Sequence, residues 1–467
     1  MLSSLSCTTY FISDEVIFLK AVIQYLRGRG YDCVNDGYYT LIALWQQWYR
    51  GLVPSVHNYT QYNGRRRLRR TRKTLGMAKT VAEDWASLAL NEKVQISVNK
   101  ASAQKRIDEV LRENDFRVRA NQLLELTYAL GTGAMVEYLD GERVRIDYIR
   151  AGMIYPLRWE NGTITECAFA SEQVAGKEKR IYLNIHRLEQ GRYVIENHLF
   201  RESGGAIGEL TLPEGVQAEV RTGSTIPRFQ ILKPNIANNL DPEVPFGLSV
   251  YANALDQLEH ADLVFDSYSN EFRLGKKRIT VPITMARMQM EQDGTVTPVF
   301  DDNDTEFFAV PQDGQNPAKI EEHNMELRAD AHEKGIQTAL NLLAWKCGFG
   351  TKRYNFQDGQ IKTATEIISD KSDLYQNLKK HELLLENALV GMVNAIADML
   401  HLGTLKTTVC FDDSIIEDSG TERERDRQDV RDGLMQKWEY RVKWYGEDEI
   451  TAKSMTEPQG DALNLGW

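Results

Sequence analysis

The chain has 467 residues, 42% of them hydrophobic and 26% charged, which is enough for two or three domains around a sizeable core. Its net charge of −11 excludes a protein whose whole surface grips nucleic acid or acidic lipid, and leaves room for a local basic patch. The five cysteines are far apart and form no C-x-x-C, which excludes a thiolate zinc site of the usual spacing and a disulfide framework, and suits a reducing cytoplasm.

The N-terminus has no basic leading region, and Asp14 and Glu15 interrupt its apolar run, so it does not read as a signal peptide. No stretch approaches about 18 uninterrupted apolar residues, and no membrane helix is expected. Residues 1–12 read as a loosely ordered leader. The periodic pattern starts after Ser13, a plausible cap for a helix over Ser13–Arg29 that carries Val16, Leu19, Ile23 and Leu26. A second helix is expected over Asp36–Arg50, with Trp45, Trp48 and Tyr49 on a core or interface face and Gly51 as its stop.

Arg65, Arg66, Arg67, Arg69, Arg70, Arg72 and Lys73 then crowd into nine residues. Such a run can bind phosphate. The other reading is a solvated loop, or a surface that meets an acidic patch on a neighbouring subunit. Helical periodicity resumes over Leu75–Asn91 and again over Ala101–Leu130, as one helix or two. From Ala134 to Ile236 alternation replaces it, and hairpin turns are expected at Asp140-Gly141 and Asn161-Gly162, with a further turn dipeptide at Gln190-Gly191. Glu202–Thr225 reads as exposed loop.

Leu248–Arg273 is the chain's central rod. Ser249 can cap it, and about 25 residues at 1.5 Å each give roughly 37 Å. Tyr251, Leu255, Leu258, Phe265, Tyr268 and Phe272 recur on one face; Asp256, Glu259, Asp262 and Asp266 recur on the adjoining one. A small β-like module follows, containing Asp301-Asp302-Asn303-Asp304, which reads as a polar loop tip or as a ligand set for Mg²⁺ or Ca²⁺. Met325–Trp345 is helical again. Thr363 opens a capping-box pattern for the longest helix, running to Leu402. His381-Glu382 in that helix reads as a polar face. The tail alternates charge signs from Thr421, which suggests an exposed or subunit-bridging helix, and its last residues read as frayed. No H-E-x-x-H, G-x-S-x-G, Walker A or dinucleotide fingerprint occurs, and the eight histidines are scattered. The fold class is α+β, with no catalytic residues, metal site or cofactor expected.

Five stretches, in this order, resemble the portal proteins of tailed bacteriophages, of the type found in long-tailed phages and prophages of Gram-positive bacteria. They are WQQWYRG, RKTLGMAKTVAEDWASLALNEKVQI, PFGLSVYANALDQLEHADLVFDSYSNEFRLGKKRITVP, CGFGTKRYNF with IKTATEI, and CFDDSIIED with DGLMQKWEYR, together spanning about Ile23 to Tyr445. The leader and the 65–73 arginine run depart from the resemblance. It implies a homo-oligomeric ring, typically of about twelve subunits, at a capsid vertex. Double-stranded DNA would pass through the ring without sequence-specific contact. Implied partners are the terminase large subunit, a head–tail adaptor, and the major capsid and scaffolding proteins, in the virion and, during assembly, the host cytoplasm.

By order along the chain the resemblance makes 1–22 a leader, 23–244 a wing, 245–275 and 325–347 paired stem helices, and 276–324 a small α/β clip. It makes 348–402 a tunnel loop with a long helix, and 403–467 a crown and tail. A DNA conduit needs mostly negative walls with a few cationic rings. Asp256, Glu259, Asp262 and Asp266 are candidates for the walls or for inter-subunit contact. Lys276, Lys277 and Arg278 are candidates for a basic belt, and Lys352 and Arg353 for direct phosphate contact. Tyr251, Leu255, Leu258 and Phe265 are the expected subunit-packing face. The rival readings are a metal-dependent DNA-processing enzyme using Asp301, Asp302 and Asp304, and a monomeric nucleic-acid-binding adaptor.

Overall fold

The computed structural model describes residues 19–456 except 63, 176–177, 204–205, 286, 291–293, 295, 300–306, 312–318, 356–363, 412–418, 446 and 448. Helix α1 covers 19–28. Helix α2 (Asp36–Tyr49) is capped by Asn35, whose side chain accepts the Gly37 N–H at 3.0 Å, and stops at Gly51, which takes φ 76°. Trp45 and Trp48 are core residues, as their spacing suggests. Tyr38 and Tyr39 are buried with them and spend their hydroxyls on the Gly247 and Ile154 carbonyls, both at 2.8 Å. A one-turn helix α3 (Pro54–His57) leads into an antiparallel ribbon of β1 (Asn58–Tyr62) and β2 (Arg67–Thr71). Half of the arginine run is therefore strand, not loop.

After α4 (Met77–Ala89) and β3 (Gln95–Val98), the long periodic stretch resolves into two helices, α5 (Ala101–Glu113) and α6 (Phe116–Leu130). The break has a local cause. Asn114 is buried, its amide donates to the Val110 and Val144 carbonyls at 2.8 and 2.9 Å, and its Oδ1 accepts the Ile146 N–H at 3.0 Å. This side chain ends one helix and ties it to a strand. Helix α6 stops at Gly131, which has φ 84° and where a Cβ would collide with the Gly247 carbonyl oxygen.

The alternating region forms two sheets. One has the order β12-β4-β5, from β4 (Gly133–Asp140), β5 (Arg143–Arg150) and β12 (Phe229–Leu232). The other runs β10-β9-β8-β7-β6, from β6 (Ile154–Glu160), β7 (Thr163–Ala175), β8 (Glu178–Glu189), β9 (Arg192–Ser203) and β10 (Ala206–Leu210), with β11 (Glu219–Arg221) also on β9. Strands β10 and β11 occupy a stretch expected to be loop. Asn161-Gly162 (φ 49° and 74°) and Gln190-Gly191 (φ 53° and 76°) are two-residue turns with positive φ at both positions. At the first hairpin Asp140 pairs with Arg143, so the turn is Gly141-Glu142 and only Gly141 is left-handed.

Helix α7 (Leu255–Leu274) begins later than its pattern implies, after a 3₁₀ turn at Ala252–Ala254. Ser249 is buried and its hydroxyl accepts the Tyr251 N–H at 3.4 Å; it does not cap the helix. Twenty residues make a rod of about 30 Å. Helix α8 (Ala329–Lys346) returns antiparallel to it, starting after the Met325 expected to begin it. Arg328 clasps Glu271 with Nε at 3.1 Å and Nη2 at 2.7 Å, and Gly335 sits where an added Cβ would lie 3.3 Å from Val264. Between them come β13 (Arg278–Pro282), β14 (Arg287–Met290), β15 (Val296–Val299), β16 (Phe307–Val310) and β17 (Glu321–His323). Strand β13 lies between parallel β16 and antiparallel β17, and β14 pairs with β15. The described part of this module holds strands and one 3₁₀ turn. Asp301, Asp302, Asn303 and Asp304 lie outside the described residues.

Helix α9 (Ala364–Met399) is the longest element at 36 residues; the Thr363 capping pattern lies outside the described residues. Its Gly391 lets the Gln230 side chain on β12 lie against the helix backbone. After it, β18 (Thr407–Cys410) pairs with β3, and α10 (Ser419–Arg431), α11 (Lys437–Tyr445) and α12 (Glu449–Ser454) close the described chain. The charge-alternating α10 is bound to α11: Arg423 and Arg427 donate to the Tyr440 hydroxyl at 3.1 Å, and Trp444 Nε1 donates to Asp426 at 2.7 Å. The frayed terminal residues inferred from sequence lie outside the described residues. One continuous core runs from Leu19 to Val409. Helix α7 buries nothing beyond Asp266 and α8 buries nothing before Ala339, so the paired ends of these helices stand out from the core.

Candidate functional site

The acidic face of α7 divides in two. Asp256 and Glu259 are exposed, whereas Asp262 and Asp266 are buried at 4% and 9% exposure. Asp262 accepts from His57 Nε2 at 3.0 Å, the Thr74 hydroxyl at 3.1 Å and the Leu75 N–H at 2.7 Å. His57 is itself fully buried. Its Nδ1 accepts the Val53 N–H at 2.8 Å, which leaves the ring proton on Nε2 for Asp262. Asp266 accepts the Lys73 N–H and the Asn270 amide, both at 3.0 Å. These two carboxylates root the basic ribbon on α7. Both are buried and engaged by donors of their own chain, which corrects their reading as a surface-facing acidic stripe. Two residues of the expected packing face are corrected: Tyr251 and Leu258 are buried in the chain's own core, and the Tyr251 hydroxyl donates to the Trp45 carbonyl at 2.9 Å. Leu255 and Phe265 are half-buried.

The ribbon presents two unlike faces. Cross-strand pairs Tyr59/Arg70 and Gln61/Leu68 share one face, and Asn58/Thr71, Thr60/Arg69 and Tyr62/Arg67 share the other. On the first, Tyr59, Leu68 and Arg70 are half-buried, and Arg72 lies over the Tyr59 ring at 5.3 Å while donating to the Val56 carbonyl at 2.9 Å. On the second, every one of the six residues is exposed.

The segment expected to form a tunnel loop is pinned to the core at its start. Phe349 is buried and stacks on Trp85 with centroids 4.5 Å apart, and Trp85 Nε1 donates to the Cys347 carbonyl at 3.1 Å. Arg353 forms a bidentate pair with Asp84 of α4, both contacts at 3.2 Å, and lies over the Phe349 ring. Lys352 is exposed; residues 356–363 lie outside the described residues. Close by, His381 corrects its reading as part of a polar face. It is buried edge-on against Trp85 and Tyr128, its Nδ1 accepts the Asn235 N–H at 3.0 Å, and burial pushes its pKa down to about 4. Glu382 is buried as well.

At the outer end of the helix pair, Lys276 and Lys277 are exposed and Lys277 pairs with Glu322 at 2.8 Å. Arg278 donates to the Leu274 carbonyl. The Arg328 guanidinium and backbone N–H hold the Glu271 carboxyl down at about 2. Leu263, Phe272, Leu274, Leu327, Leu342 and Trp345 are all at least 40% exposed around this pair, and Trp345 reaches 59%.

Three further buried polar residues escaped the sequence reading: Glu137 and Gln230 share one face of the β12-β4-β5 sheet, and His186 lies against Phe169 and Phe229 on the other. Glu137 on β4, His186 on β8 and Gln230 on β12 are all buried. Neither carboxylate oxygen of Glu137 nor His186 Nδ1 has a hydrogen-bond partner among the described residues. Burial pushes the Glu137 carboxyl up to about 8, only partly opposed by nearby Gln230 and its own backbone N–H, and pushes His186 down to about 3. Among the described residues no group of His, Cys, Asp or Glu is placed to hold a metal ion, and no helix is long and apolar enough to cross a membrane.

The described residues thus form an α+β chain with a helix pair around a β module and a long helix. A family model described as "Phage portal protein, SPP1 Gp6-like" matches residues 35–428. The chain therefore belongs to the phage portal proteins of the SPP1 Gp6-like family, which act in DNA packaging at the capsid vertex. No curated protein matches the chain.

Proposed function

We propose that about twelve copies of this chain close into a ring around an axial DNA channel, serving packaging, head–tail joining and ejection. The observation that carries this reading is the α7–α8 pair. Its outer end leaves the core behind and displays Phe272, Leu274 and Leu327 to solvent, and Leu263, Leu342 and Trp345 continue the exposed apolar surface towards the core end of the pair. Apolar surface of this extent on two packed helices is what a second copy covers. The pair is then the stem, and the β13–β17 module is the clip that meets the terminase large subunit and later a head–tail adaptor. Residues 23–244 are the wing after a leader over 1–22, 348–402 the tunnel segment and long helix, and 403–467 the crown and tail, with capsid and scaffolding proteins around the ring. Asp256 and Glu259 are the remaining acidic candidates for the channel wall. Lys276, Lys277, Lys352 and Arg353 are the cationic ones, and Arg353 is held in place by Asp84 and Phe349. The role is structural and non-enzymatic, exercised in the host cytoplasm during assembly and then in the virion.

Introducing Leu342→Glu with Trp345→Glu tests this reading. Burial of such side chains stabilises a contact by about 1.5–3 kcal/mol each, and a ring repeats the loss at every interface. Light scattering is expected to show monomers at concentrations where the parent chain forms rings, with an unchanged far-ultraviolet circular dichroism spectrum. Rings that persist at the same concentration would remove the stem from the assembly interface.

A further inference from the structure

The ring proposed above assigns no role to the β1–β2 ribbon. Residues 58–73 contain seven cations and no acid, in a chain that is net acidic. Six of the seven are arginine, whose planar guanidinium pairs bidentately with phosphate. The root is rigid: Asp262 and Asp266 fix the backbone at Leu75 and Lys73, and Asp262 also holds His57 at the other strand's entry. One face is turned inward through Tyr59, Leu68 and Arg70. The other carries Asn58, Thr60, Tyr62, Arg67, Arg69 and Thr71, all exposed, Tyr62 at 65%.

That outward face has no aliphatic residue. It lacks the aliphatic side chains that fill the core of a permanent interface between protein copies. It offers hydroxyls, an amide, a phenol and arginines, the side chains that contact the sugar-phosphate backbone. Its shape agrees, since the major groove of B-DNA, about 12 Å wide, admits a two-stranded ribbon. We propose that the outward face of this ribbon, with Arg67 and Arg69 at its centre and Arg65 and Arg66 at its tip, binds duplex DNA through the phosphate backbone without sequence preference. The proposal uses none of the residues assigned to the channel and does not require a ring.

Fluorescence anisotropy of a labelled mixed-sequence duplex, titrated with the full-length chain between about 50 and 200 mM salt, reads it directly. The parent chain is expected to bind with a steep salt dependence. Arg67→Gln with Arg69→Gln should make the slope of log K against log salt shallower by about two per engaged chain, and Thr60→Lys, opposite Arg69, should steepen it by about one. A parent chain that fails to bind at the lowest salt overturns the proposal, as do variants that leave the slope unchanged. If the double variant keeps the slope but changes the mass seen by light scattering, the ribbon is a contact between copies and the DNA reading is wrong. Because ring formation is scored separately, loss of one reading leaves the other standing.

Discussion

Asp262→Ala is expected to lower the unfolding free energy by about 2–6 kcal/mol, because two buried donors lose their acceptor at about 1–3 kcal/mol each. The substitution strands the His57 Nε2–H and the Leu75 N–H, both of which Asp262 now accepts, and frees the Thr74 hydroxyl. Trp48 lies 5.7 Å from the His57 ring and supplies a local reporter in urea denaturation. Asp262→Asn keeps one carbonyl oxygen but turns an amide toward one of the donors, so it should cost less than alanine and more than nothing. A shift below about 1 kcal/mol for the alanine variant would mean that α3 and the ribbon are not anchored through this carboxylate.

Glu137→Gln is expected to stabilise the protein at neutral pH. The folded chain holds the carboxyl protonated up to about 8, whereas the unfolded chain releases the proton near the ordinary 4.5. Between those values the native state binds more protons than the unfolded state, so the stability of the parent chain falls as pH rises through this window. At one pH unit per 1.36 kcal/mol the loss by pH 7 is on the order of 3 kcal/mol. Glutamine has no proton to lose and escapes it. The two proteins should therefore unfold alike near pH 4 and diverge progressively toward pH 8. Parallel stability profiles across that range would show that Glu137 is ionised or solvated in the folded chain.

Much of the fold is legible where one local signal decides the outcome. Asn161-Gly162 dictates its turn because both residues tolerate positive φ, and Gly51 stops α2 for the same reason. The paired helices around a β module follow from periodicity interrupted by alternation. The failures share a different cause: a distant segment covers the residue. Asp262 and Asp266 look solvent-facing by spacing alone, since nothing in α7 announces that residues 57–75 fold over them. Tyr251 reads as an interface residue because Trp45, which accepts its hydroxyl proton, is over two hundred positions away. His381, flanked by Lys380 and Glu382, gives no hint that Trp85 and Tyr128 enclose it. The ribbon was hidden by its charge, because only Tyr59 and Leu68 mark its inward face.

The candidate channel residues divide along the same line. Asp256, Glu259, Lys276, Lys277 and Lys352 are exposed, as a lumen residue must be. Which of them meets DNA is set by where the next copy sits. The family match and the uncovered apolar surface of α7 and α8 both point to such a copy.

Closure into a ring is the central claim, and electron microscopy of the negatively stained full-length protein tests it most directly. Circular particles with an open centre and about twelvefold class averages are the predicted result. Compact monomers at every concentration and salt would contradict it.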